Sequence, residues 1–266
     1  MKDITIGQYY QTDSVLHRLD PRVKLVGTLI YIIALFMVSS PVGYILAAAF
    51  LGMVIALSNV PLGYIVRGMK AIVMILVITV LFNLFLTPGE VLVQLGPLHI
   101  TFEGICFAAK MGIRLVFLIL GSTMMTLTTS PNQLTDAMET LLNPLKKVRV
   151  PVHEIAMMMS IALRFIPILM EETDKIQKAQ MARCADFESK SLIKRVKSMI
   201  PILVPLFISA FRRANDLAMA MEARCYHGGE GRTKMKPLVY RKQDRIAYAI
   251  IWGFLAVCIG LKIAGI

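Results

Sequence analysis

Residues Ala71–Thr87 read AIVMILVITVLFNLFLT, 17 positions without a charged side chain, closed by Pro88-Gly89-Glu90. A helix in a soluble domain alternates apolar and polar faces, whereas this stretch is apolar all round and close to the ~20 residues that cross a bilayer. Four further runs flank it. Leu25–Ser39 is broken at Ser40-Pro41, and Val42–Leu57 is ended by Ser58-Asn59-Val60-Pro61. Gly104–Thr129 carries Lys110 and Arg114 in its first half, and Ile246–Ile266 is the fifth run. The whole composition agrees. Hydrophobic residues make up 56% of the 266 and charged ones only 17%, with a mean hydropathy of +0.66. A soluble domain this apolar could not cover its surface, so the bilayer is the expected solvent.

The distribution of Lys and Arg orients the spans, because cytosolic flanks hold an excess of both. Arg18, Arg22 and Lys24 precede the first run and place the N-terminus inside, while the uncharged Ser40-Pro41 turn goes outside. Arg67 and Lys70 mark an inside loop between the second and third runs. The segment from Pro88 to Phe102, with Glu90 but no Lys or Arg, suits the outside. Arg241, Lys242 and Arg245 hold the start of the fifth run inside, which sends the C-terminus out. Met1–Lys24, with Asp3, Asp13, His17 and Asp20, is too polar to read as a signal peptide. The expectation is an all-α, polytopic protein of the cytoplasmic membrane with about five spans. Residues 1–130 form a membrane region of four helices, 131–245 a cytosolic domain of amphipathic helices, and 246–266 a last span.

That cytosolic insertion holds 20 of the 29 basic residues and 12 of the 17 acidic ones. Its periodicity predicts three helices. The first, Asn132–Leu142, puts Leu134, Ala137, Met138, Leu141 and Leu142 on one side, and Asn143-Pro144 stops it. The second runs from Val152 to about Arg183, with Ile155, Met158, Ala162, Phe165 or Ile166, and Leu169 at helical spacing. The third runs from Ser189 to about Arg224, through Ile193, Val196, Ile200, Leu203, Phe207, Ala210, Ala214, Leu217 and Met221. Pro167 predicts a bend in the second helix, and Pro201 and Pro205 a kink or break in the third. The first part of each long helix is apolar enough to lie on or dip into the membrane face, and the second part polar enough to project into water.

Both long helices end alike, on Ala182-Arg183-Cys184 and Ala223-Arg224-Cys225, 41 residues apart. An Arg in a last helical turn is favoured by the negative end of the macrodipole, and its five-donor fork suits a carboxylate or carbonyl cluster on a partner. The plainer alternative is an ordinary C-terminal charge. Other features point to less. The histidines at 17, 99, 153 and 227 do not pair at metal-ligand spacing, although Cys225-Tyr226-His227 beside Cys184 offers a conceivable site. Lys110 and Arg114 mark either an ion path or residues at the outer interface facing protein. Cys106, Cys184, Cys225 and Cys258 lie far apart, as in a reducing cytosol. The run Met157-Met158-Met159, with Met170, Met181, Met199, Met219 and Met221, suits either an adaptable contact surface or helix filling. No GxxxxGK[ST] loop, nucleophile–base set or folded basic nucleic-acid motif is present. No cofactor or metal is expected, and the positive arm is explained by an anionic leaflet.

Three stretches resemble one family. Ala162-Leu163-Arg164-Phe165-Ile166-Pro167, leading to Ala179-Gln180-Met181-Ala182-Arg183, is similar to the signature of the transmembrane T component of energy-coupling factor (ECF) transporters. So is Ala210-Phe211-Arg212-Arg213-Ala214, leading to Met221-Glu222-Ala223-Arg224 and on to Arg232-Thr233. Leu16-His17-Arg18-Leu19-Asp20-Pro21-Arg22-Val23-Lys24-Leu25 resembles the opening of the same family, which includes the CbiQ-type subunits of cobalt and nickel importers.

The resemblance implies a non-catalytic scaffold in an ATP-driven importer of vitamins or metal ions. Its partners would be two ABC-type ATPase subunits forming a heterodimer, a substrate-capturing membrane S component, and the lipid bilayer. Arg183 and Arg224 become docking arginines, each beside its Ala and Cys. Cys184 and Cys225 depart from the family's usual glycine, so a less sharply turned helix end is expected. Contacts to the S component are expected at Leu134, Met138, Met158, Ala162, Phe165, Leu203 and Phe207. The alternatives are a dedicated cobalt or nickel subunit, a self-contained carrier working through Lys110 and Arg114, or a static anchor.

Overall fold

The computed structural model describes residues 9–95, 98–185, 192–229, 235 and 237–264. Asp3, the expected helix start at Ser189, the Arg232-Thr233 pair and the expected end at Ile266 lie outside the described residues.

Short polar caps start the first helices, and in α2 and α3 proline follows the cap, as pre-set φ and an already orphaned N–H make it welcome there. Ser14 caps α1 (Val15–Arg18), Asp20 caps α2 (Pro21–Met37), and Ser40 caps α3 (Pro41–Ser58). Asn59, in the left-handed region at φ 54°, ends α3. The fourth helix, α4 (Leu62–Leu86), begins well before the apolar run it contains. Arg67 and Lys70, expected in a loop, therefore lie on helical backbone.

The segment read as a plain outer loop forms an antiparallel hairpin of β1 (Val91–Leu95) and β2 (Leu98–Thr101). Leu95 pairs with Leu98 and Gln94 with His99, and the register shifts between Val91 and Val93. Thr101 then caps α5 (Phe102–Thr128) by accepting the Gly104 N–H. After α6 (Pro131–Leu142) and a 3-10 turn (Asn143–Val148) come the long α7 (Val152–Ala182) and α8 (Leu192–Ala223). The last helix is α9 (Lys242–Ile263).

Both long helices run unbroken through their prolines, so of the kink or break expected at Pro201 and Pro205 the break does not occur. Among the described residues, α3, α5, α7 and α9 are long and apolar enough to cross a bilayer, and Ile72–Phe85 is a shorter apolar stretch of α4. The five apolar runs of the sequence fall on α2, α3, α4, α5 and α9. The fold is all-α and polytopic, with one small hairpin.

The chain divides into two compact units, Met1–Thr140 with Leu238–Ile266, and Leu141–Pro237. The core of the first unit lies among α2, α3, α5 and α9, around Tyr31, Leu35, Ala47, Leu51, Phe254 and Cys258. The Phe50 and Phe254 rings stack at 4.4 Å, with Tyr31 stacked on both. Two glycines allow the close approach. A Cβ on Gly27 would stand 2.7 Å from Ile251 of α9, and one on Gly121 only 2.4 Å from the Tyr31 ring.

Arg114 points into this unit. Its guanidinium donates to the Val38 carbonyl at 2.7 Å and so caps the C-terminal end of α2, where carbonyls lack helical partners. Lys110 is exposed.

Candidate functional site

The two Ala-Arg-Cys ends have the same backbone. At the end of α7, Cys184 takes φ 63°; its N–H donates to the Met181 carbonyl and that of Ala185 to the Gln180 carbonyl, both at 3.0 Å. At the end of α8, Cys225 takes φ 53°; its N–H donates to Glu222 at 2.8 Å and that of Tyr226 to Met221 at 3.1 Å. These paired bonds are the Schellman closure, which uses up the last free carbonyls and turns the chain sharply away. The expectation of a less sharply turned end is therefore corrected. Cysteine is unbranched at Cβ and tolerates the left-handed region at a cost of about 1–2 kcal/mol, which the two closing bonds offset.

Arg183 and Arg224 each occupy the last position before that turn. Ala182, Arg183, Cys184, Ala223, Arg224 and Cys225 are all exposed. Among the described residues no carboxylate pairs with either guanidinium. Each helix thus ends in an exposed five-donor fork with small neighbours, suited to acceptor oxygens on another molecule.

Among the described residues, helices α7 and α8 hold one another by side-chain hydrogen bonds from Arg213 and from Gln180. Arg213 donates to Glu172 at 3.3 Å, and these residues stand 41 apart, the interval that also separates Arg183 from Arg224. The pair thus joins equivalent positions of the two helices. Eight residues further along α7, Gln180 donates to the carbonyl of Pro201, which lies earlier in α8, at 3.4 Å. Contacts that advance along one helix and retreat along the other mean that the two run antiparallel. Arg183 and Arg224 then each lie 11 residues beyond the Glu172–Arg213 tie, in opposite directions. At ~1.5 Å per residue the two ends stand up to roughly 33 Å apart, at opposite ends of the pair.

Sequence reading missed the role of Gln180. Pro205 has no N–H to give the Pro201 carbonyl one helical turn earlier, and Gln180 supplies a donor in its place. A proline four residues after an exposed carbonyl, with an amide side chain on the neighbouring helix, was the available signal.

Of the residues expected to meet a membrane partner, Met158, Ala162, Leu203 and Phe207 are exposed, and Leu134, Met138 and Phe165 half-buried. Leu134 and Met138 belong to the first unit and the other five to the second. Cys184, Cys225 and His227 do not come together as a metal site, and no three His, Cys, Asp or Glu do so among the described residues.

Residues 12–235 match the CbiQ family, described as cobalt transport protein. Full-length relatives agree in detail. The chain is 54% identical over 257 residues to the energy-coupling factor transporter transmembrane protein EcfT of Thermosediminibacter oceani, covering 97% of each chain. It is 54% identical over 263 residues to EcfT of Clostridium kluyveri, covering 98% of this chain and 97% of the relative. With EcfT of Bacillus subtilis it shares 48% over 245 residues, 92% of each. The chain belongs to the CbiQ/EcfT family. It is a multi-pass membrane protein of the kind that forms the transmembrane component of an ECF transporter.

Proposed function

We propose that this chain couples two cytosolic ATPase subunits to a substrate-binding S component in an ECF-type importer. One observation carries the reading: two helix ends with the same closed turn, each presenting an exposed arginine that has no carboxylate partner among the described residues, lie at opposite ends of an antiparallel helix pair. An ATPase pair is related by a two-fold, so each end can meet the equivalent groove of one subunit. Ala182, Arg183 and Cys184 serve one subunit, and Ala223, Arg224 and Cys225 the other, the two ATPases forming a heterodimer. ATP-driven closure draws the ends together, and α7 and α8 carry the motion to the S component through Met158, Ala162, Phe165, Leu203 and Phe207, with Leu134 and Met138 of α6. The chain itself transports nothing and hydrolyses nothing.

The Lys and Arg distribution supports a cytosolic N-terminus, a coupling segment at 131–245 on the same side, and an external C-terminus in the cell membrane. Vitamins and related micronutrients are the substrate class. The CbiQ match supports a second reading, a subunit dedicated to cobalt or nickel. A self-contained carrier is disfavoured, because Arg114 is spent on capping α2.

Arg183→Glu with Arg224→Glu should leave a folded membrane protein that no longer co-purifies with the ATPases. Full retention of both would overturn the reading. Mass spectrometry of the wild-type complex separates the substrate readings: several S components indicate a shared module, one metal-binding S component a dedicated subunit.

A further inference from the structure

The opening motif, Leu16–Leu25, touches neither docking end in sequence or role, yet it carries the densest buried polar network among the described residues. On one side it grips the end of α5. The Tyr10 N–H donates to the Leu127 carbonyl at 2.9 Å, and the His17 ring, at Nε2, bonds the Tyr10 carbonyl at 3.0 Å. The Lys24 ammonium donates to the Thr128 carbonyl at 2.8 Å and to that of His17 at 3.2 Å. On the other side it grips the start of α9. Asp244 accepts the Asp20 N–H at 2.8 Å on one oxygen and the Arg241 N–H at 2.6 Å on the other. Arg22 pairs in two-pronged fashion with Asp20, at 3.0 and 2.8 Å, and lies 3.9 Å above the Tyr240 ring. Asp20, Arg22, Lys24, Thr128 and Asp244 are all buried.

Burying four charged groups is expensive, and a matched apolar contact would hold two membrane helices at least as firmly. The network's partners explain the arrangement. Helix α5 is the last long helix before the chain runs on through α6 to Leu141, and α9 is the first after Pro237, so the two flank the coupling unit in sequence. Charged, directional bonds to backbone groups at both roots fix position, which apolar packing can let slide.

We infer that Asp20, Arg22, Lys24 and Asp244 form a collar that fixes the two roots of the coupling unit, so that motion at its docking ends is delivered to the membrane helices. They are positioning residues. The inference rests on the coupling role proposed above.

The test is amide hydrogen exchange, read by mass spectrometry, on the complex of the full chain with its ATPases in nanodiscs, with and without Mg-ATP. In wild type, nucleotide should change exchange at Gln180–Ala185 and Met221–Tyr226, and also in the last turn of α5 and the first turn of α9. In Arg22→Lys and Asp244→Asn the change at the docking ends should persist, while that in α5 and α9 falls at least three-fold. Arg22→Lys keeps a positive charge beside Asp20 and so preserves the fold, while losing the fork and the stacking on Tyr240. A purely structural role would raise exchange equally with and without nucleotide and leave the nucleotide-dependent difference intact. That outcome, or no response in α5 and α9 of the wild type, overturns the collar. No response at the docking ends of the wild type instead sinks the coupling role.

Discussion

Cys184 and Cys225 sit in a conformation that glycine adopts freely and any residue with a Cβ adopts at a cost. Replacing either by glycine should raise stability by about 0.5–1 kcal/mol, because relief of strain exceeds the extra freedom given to the unfolded chain. Thermal unfolding in detergent should show this for Cys184→Gly and Cys225→Gly, while Cys184→Val should lower the midpoint. Lys24, at the polar foot of α2 ahead of Leu25, makes a second prediction. Burial pulls its pKa down to about 8, against the opposing pull of Asp20 and Asp244. Between pH 8 and about 10.5 the unfolded chain therefore binds more protons than the folded one, and stability rises with pH. The gain is of the order of 3 kcal/mol at most. The unfolding midpoint of wild type relative to Lys24→Gln should climb between pH 7.5 and 9.5, and a flat difference would contradict the burial of the ammonium.

At the scale of elements, the α7–α8 pair depends on the exchange between Gln180 and the proline-orphaned carbonyl of Pro201. Gln180→Ala should cost about 1 kcal/mol, the usual penalty for a carbonyl left without its donor. In a Pro205→Ala background the restored N–H closes the helical bond, so the same substitution should cost almost nothing. Equal costs in both backgrounds would remove Gln180 from this role. The Glu172–Arg213 pair is partly exposed and should contribute less, about 0.5 kcal/mol in a double-mutant cycle. Packing of α2 against α5 is stricter. A Cβ at Gly121 overlaps the Tyr31 ring, so Gly121→Ala should destabilise by about 1–3 kcal/mol in thermal unfolding.

For the whole molecule, the proposed docking of both arginine ends makes ATPase binding bivalent, because the two ends stand on one helix pair. Once one arginine is seated, the other binds at a high effective concentration. Arg183→Ala or Arg224→Ala alone should therefore weaken retention of the ATPases by roughly ten-fold, and the double variant by 100-fold or more. Titrating the ATPase pair against immobilised chain measures this. A double variant no weaker than either single one would mean that the ends do not act together.

The membrane character, the helical class and the two arginine ends were legible in the sequence, because each rests on local signals. Charge-free runs, Ser-Pro and Asp-Pro helix starts, and a repeated tripeptide can be read from neighbours alone. The hairpin at Val91–Thr101 was hidden between runs, since its pairing involves residues on either side of a turn. Gln180 and Asp244 were unreadable for a related reason: Gln180 meets a carbonyl 21 residues away, and Asp244 a backbone N–H 224 residues away. The less sharply turned helix ends expected from cysteine in place of glycine were also misjudged, because only the closed Schellman bonds show that the turn survives. The sequence by itself determined which segments are apolar enough for a bilayer and where the arginines stand. Tertiary structure decided what those segments hold, because a hydrogen bond is specified by position in space, and position depends on the whole chain.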